Sequence, residues 1–67
     1  MVNTNKIKAR IVEKGKTIEK LAADMDITPY TLGRKIRGQS QMTLKEADQL
    51  QQLLDISDDE FCLYFFD

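Results

Sequence analysis

Helix-start and helix-stop residues follow one another so closely in this chain that only short helices fit between them. Thr17, Thr28, Thr43 and Ser57 each stand just ahead of a segment with helical apolar spacing, where a hydroxyl can cap free backbone N–H groups. Pro29 follows Thr28 at the first helical position, where its missing N–H costs nothing. Gly15 and Gly38 supply stops. Glu46 stands three residues after Thr43, and Glu60 three after Ser57, which makes two capping-box patterns.

Between these marks the periodicity is near 3.6 residues, and no segment has the alternation of a half-buried strand. A first helix is expected from about Thr4 to Lys14, with Ile7 and Ile11 one turn apart. A second follows from Thr17 to about Asp24, with Leu21, Ala22 and Met25 facing inward. The third carries Leu32 and Ile36 and ends at Gly38; after the polar loop Gln39–Met42, a fourth shows Leu44, Ala47, Leu50 and Leu54 on one face. A short fifth turn is expected around Asp58–Phe61. The expected class is all-α: a compact five-helix bundle occupying residues 1–67 as a single domain.

Phe61–Phe66 reads as an apolar C-terminal tail (61–67), because Phe61, Leu63, Tyr64, Phe65 and Phe66 are too apolar to stay solvated and aromatics favour strands. Two readings stand: the tail folds back to seal the core, or it meets a partner. At 67 residues the chain buries only roughly 60% of the surface that it exposes when unfolded, so leftover apolar surface matters.

Composition excludes several functions. There is no histidine, and Cys62 is the only cysteine. The usual general base, the Cys–His and Ser–His pairs and an internal thiolate metal cluster are thereby removed, so neither an enzyme, a metal site, a cofactor nor a small-molecule substrate is expected. No apolar run approaches the roughly 20 residues of a membrane span, and the N-terminus lacks a secretory apolar stretch, so a cytosolic location is expected.

A net charge of −1 conceals a strong asymmetry. Residues 1–41 hold nine basic and four acidic side chains (+5), and residues 42–67 one basic and seven acidic (−6). Exposed charges more than about 8–10 Å apart are largely screened at cellular salt, so a local basic face outweighs the total.

The stretch TIEKLAADMDITPYTLGRKIRG, Thr17 to Gly38, carries the functional signal. Two short helices are joined by a turn at Met25–Ile27, with Asp26 where a positive φ is demanded and Ala22 where the helices cross. That geometry exposes Thr28, Tyr30, Thr31, Arg34, Lys35 and Arg37. A helix of this kind fits the DNA major groove, about 12 Å wide. Arg34 can fork onto O6 and N7 of guanine, and Tyr30 and Thr31 lie one turn earlier, where base edges are met. Thr28 and the helix N-terminus suit a phosphate, and Lys16, Lys35, Arg37, Gln39, Ser40 and Gln41 suit flanking phosphates. Lys6, Lys8 and Arg10 read as ordinary solvated residues.

TIEKLAADMDIT, TLGRKIRG and MTLKEADQLQQLLDISDDEF together resemble the Xre/Cro-like helix-turn-helix proteins, especially small Cro-like repressors of bacteriophages and prophages of Gram-positive bacteria. The resemblance runs from about residue 6 to the apolar tail. It implies a five-helix, lambda-repressor-like domain, commonly dimeric, that binds double-stranded operator DNA in the bacterial nucleoid. It places Pro29, Tyr30 and Arg34 at base-reading positions, and Thr17, Thr28 and the residues after Gly38 at phosphate-contacting ones. Ile18 stands where the family often has glutamine, and Asp26 replaces a turn glycine. The other expectation left open is a modulator that binds another repressor protein through its acidic C-terminal half or its recognition helix.

Overall fold

The computed structural model describes residues 1–66, so the last residue of the expected tail, Asp67, lies outside it. Five α-helices make up the regular structure of these residues: α1 (Thr4–Glu13), α2 (Ile18–Asp24), α3 (Pro29–Ile36), α4 (Leu44–Leu53) and α5 (Asp58–Phe65). The all-α expectation holds, with the first four helices close to the positions that their caps marked.

Local chemistry sets each start. The hydroxyls of Thr17, Thr28 and Thr43 accept hydrogen bonds from the N–H groups of Lys20, Thr31 and Glu46. Glu46 completes its capping box by accepting from the Thr43 N–H at 2.8 Å. The α1 cap is Asn3, whose side chain accepts from the Lys6 N–H. At Ser57 the anticipated box does not form: its hydroxyl donates to the Glu60 carboxylate at 3.3 Å, and no side chain caps the backbone.

The first four helices share one termination. In each, the residue after the C-cap is left-handed: Gly15, Asp26, Gly38 and Asp55, with φ of 66°, 60°, 77° and 52°. Around α3, the Gly38 N–H bonds to Lys35 O and the Gln39 N–H to Arg34 O, a Schellman motif. The pattern recurs after α2, where Asp26 N–H meets Ala23 O and Ile27 N–H meets Ala22 O. The positive φ expected of Asp26 is therefore present.

Ile7, Leu21, Leu32, Ile36, Leu50 and Leu54 are fully buried and form the centre of the core, which Ile11, Ala22, Met25, Ala47 and Ile56 extend. Leu44, expected on the inner face of α4, is 67% exposed. It is the first residue of its helix and reaches past the core to the lip of a groove that it shares with Met1, Met42 and Phe66.

The apolar tail is a helix. Residues 58–65 form α5, two turns long, and Tyr64 and Phe65 insert into the core while Leu63 and Phe66 remain largely exposed. Strand preference gives way because the described residues offer no strand to pair with, whereas helical spacing stacks Phe61 on Phe65 at 4.9 Å. Asp58, Asp59 and Glu60 in the first turn also favour the positive end of the helix dipole. The sealing reading of the segment holds for Tyr64 and Phe65. The Asn3 N–H donates to Tyr64 O at 2.8 Å, which ties the N-terminus to α5.

Arg10 is the other departure, since it is not a freely solvated residue. Its Nε donates to Leu54 O at 2.8 Å and its Nη2 to Asp55 O at 2.6 Å, covering carbonyls at the end of α4. Its Nη1 pairs with Glu13 at 2.8 Å. Lys14 reaches the same corner through Asp55, also at 2.8 Å.

Candidate nucleic-acid interface

α2 and α3 pack against each other and are joined by the four residues Met25–Thr28, among which Asp26 takes the positive φ. Burial of Leu21 and Ala22 on α2, and of Leu32, Gly33 and Ile36 on α3, fixes which side of α3 faces solvent. On the outer side lie Pro29, exposed, and Tyr30, 70% exposed, with Thr31 and Arg34 partly covered and Arg37 exposed. Those five positions include all four expected base-contacting residues: Pro29, Tyr30, Thr31 and Arg34.

The two threonines at the start of α3 are internally engaged. The Thr28 hydroxyl accepts from the Thr31 N–H at 3.1 Å and donates to the Thr31 hydroxyl at 2.8 Å. The cap is therefore built twice over, and both side chains are held in one arrangement. Tyr30, one residue after Pro29, stands out from this frame. Arg34 lies one turn further along, its Nη2 donating to Gln39 O at 3.1 Å and its guanidinium carbon 6.0 Å from the centre of the Tyr30 ring.

Nothing in the sequence marks Gly33, yet it shapes this face. A β-carbon there would sit 3.1 Å from Nη1 of Arg37, so the guanidinium lies folded across the glycine. Arg37, Lys8, Ile18, Pro29 and Tyr30 line a shallow groove beside the α3 N-terminus. Ile18, where the resemblance anticipates a polar group, gives that groove an apolar wall.

Of the expected phosphate-contacting residues, Thr28 and Arg37 cap the two ends of α3, and most of the others fall into two groups. Lys16 and Thr17 stand at the start of α2, with the Thr17 hydroxyl accepting from the Lys20 N–H at 3.1 Å. Gln39, Ser40 and Gln41 occupy the loop after α3, on the same end of the molecule as Arg34. Lys35 reaches the loop but is engaged there. Its ammonium is 2.9 Å from Glu46 Oε1 and 3.2 Å from Gln41 O, with the side chain only 13% exposed. Burial alone would raise the Glu46 carboxyl's pKa; hydrogen bonds from Lys35 and Thr43 outweigh it and hold the group below the usual range.

What the arrangement offers is a rigid, short helix presenting an aromatic ring, a forked cation and a small polar cap, flanked by basic and amide side chains. No group of three or more His, Cys, Asp or Glu residues able to hold a metal ion occurs among the described residues. No helix there is long and apolar enough to cross a membrane.

Comparison with curated proteins and with solved structures gave no match. A helix-turn-helix family model, in contrast, matches residues 7–61, from the first turn of α1 into α5. With the α2–turn–α3 geometry inside that span, the chain belongs to the Xre/Cro-like helix-turn-helix family of DNA-binding transcription regulators.

Proposed function

We propose that this chain reads a specific operator in double-stranded DNA by laying α3 in the major groove. The observation that carries the reading is the outward stacking of Tyr30 and Arg34 on a helix whose opposite face is fully packed. Arg34 supplies a forked donor for guanine O6 and N7, and Tyr30 with Thr31 and Pro29 meets neighbouring base edges by contact and shape. Lys16, Thr17, Arg37 and the loop Gln39–Gln41 grip flanking phosphates, while Thr28 holds the helix start that faces one of them. Lys35, tied to Glu46, is left out of that set.

One domain of this size offers a single reading helix, so we read the active species as a pair of copies on half-sites about 34–36 Å apart. The exposed apolar side chains of Met1, Leu44 and Phe66, which line one groove, support a partner surface of that kind. The role is that of a repressor of the small phage or prophage type. Selection of duplexes from a random pool by the purified chain tests the reading, which requires enrichment of one motif and loss of its guanine preference in Arg34→Ala.

The rival, binding to another repressor protein, draws on the apolar wall of Val12, Ile18 and Tyr30 along α3. Tight binding of a repressor with no enrichment of any duplex would favour it.

A further inference from the structure

The loop between α3 and α4 is held at two points by consecutive residues of α3. Arg34 donates to the carbonyl of Gln39 at 3.1 Å, and Lys35 donates to the carbonyl of Gln41 at 3.2 Å. Lys35 is itself anchored, since its ammonium lies 2.9 Å from Glu46 Oε1 and the two side chains are 13% and 18% exposed. The same carboxylate oxygen accepts the Thr43 N–H at 2.8 Å, and the Thr43 hydroxyl accepts the Glu46 N–H at 3.1 Å. The start of α4, the loop and the last turn of α3 therefore meet on one carboxylate.

That placement is costly if Glu46 serves DNA binding by charge alone. A carboxylate close to a phosphate-gripping loop repels the backbone of DNA, so a chain that needed only basic charge there would bind better without it. Its geometry points to another use. Lys35 and Glu46 are paired with each other and mostly covered, and their shared contacts link the recognition helix to the loop.

We propose that Glu46 is a positioning residue of the DNA interface: acting through Lys35, it sets the loop Gln39–Gln41 against α3 at the span that the DNA backbone requires. The proposal rests on the DNA-binding reading above. Glu46 touches no DNA itself, and Lys35 gives up a phosphate contact to hold the loop.

The test uses Glu46→Gln, which keeps a capping acceptor for Thr43 but removes the charge, and Lys35→Met, which keeps the aliphatic stem. Binding to the selected duplex is followed by fluorescence anisotropy over a range of salt, below the melting transition of each variant. Each single variant is expected to weaken binding about threefold or more, with the double variant no weaker than the worse single one, as for a coupled pair. The salt slope should stay at the value of the unaltered chain, and Lys35→Arg should restore most of the affinity. Glu46→Gln binding as tightly as the unaltered chain, or more tightly, overturns the proposal. So does a slope reduced by about 0.9 in Lys35→Met, the mark of one lost phosphate contact. Failure of the unaltered chain to bind any duplex is a different result, because it removes the DNA reading itself and this proposal with it.

Discussion

The guanidinium of Arg34 lies 6.0 Å from the centre of the Tyr30 ring, one helical turn away on the same face of α3. A cation over an aromatic face at this range is attracted by roughly 0.5–1 kcal/mol at an exposed site, enough to bias the arginine toward one rotamer without locking it. Arg34→Ala is expected to cost about 1–3 kcal/mol on the selected duplex and to relax the preference at one base pair. Arg37→Ala should instead weaken binding evenly across sequences and lower the salt slope by about 1. Titration of both variants against the selected duplex and a scrambled one separates the two roles.

Gly33 sits in the middle of α3, where glycine is less favourable than alanine by about 0.8–1 kcal/mol. The nearest atom to an added methyl is Nη1 of Arg37, at 3.1 Å, the far end of a flexible and exposed side chain. Gly33→Ala should therefore raise stability by about 0.5–1 kcal/mol while displacing Arg37. Thermal unfolding should show the gain, and the phosphate-gripping role of Arg37 should weaken in the same variant.

Asp26 adopts φ of 60° at the turn between α2 and α3. Left-handed backbone costs an ordinary residue about 1–2 kcal/mol, less for Asp, and glycine escapes it at some entropic expense. Asp26→Gly is expected to stabilise the chain by about 0.5 kcal/mol, a rise of a few degrees in Tm for a domain of this size. Asp26→Val, with a β-branched side chain, should lower Tm clearly, and equal melting of the two variants would contradict the turn geometry.

Acid should destabilise the fold in a defined window. Glu46 is held below the usual carboxylate range against its burial by Lys35 and Thr43, and Asp55 is held low chiefly by its hydrogen bond from Lys14. Groups depressed in the folded state contribute stability above their unfolded values, about 4, and lose it as pH falls through the lower folded values. With no histidine, little should titrate between pH 5 and 7. Urea unfolding should give a flat region there and a falling limb below pH 4, shallower in Glu46→Gln.

Most of the helix framework is legible in the sequence because its signals are local. A hydroxyl at Thr17, Thr28 or Thr43 bonds three residues ahead, and Gly15, Asp26 and Gly38 act within one turn. Asp55 is left-handed like the other three, but no glycine marks the end of α4 in the sequence. What the sequence hid depends on partners far along the chain. Arg10 bonds carbonyls 44 and 45 residues away, and Lys35 pairs with Glu46 across the loop, so Arg10 reads as a solvated cation and Lys35 as a phosphate contact until the helices are packed. The helical state of Phe61–Phe65 was hidden for a similar reason: propensity favoured a strand, and only burial of Tyr64 and Phe65 against the core decides it. The outer face of α3, with Tyr30 and Arg34, was legible because its inner face is marked by Leu32 and Ile36 at fixed helical spacing.

The most direct measurement is the affinity of the unaltered chain for DNA flanking its own coding sequence, taken across salt from about 50 to 200 mM. Each neutralised phosphate contributes about −0.9 to the log–log slope, so an interface built from Lys16, Arg37, the loop and the α3 N-terminus predicts a slope of several units. Binding should also be far tighter than to a scrambled duplex in the same salt. A flat salt response, or equal affinity for both duplexes, would contradict the account.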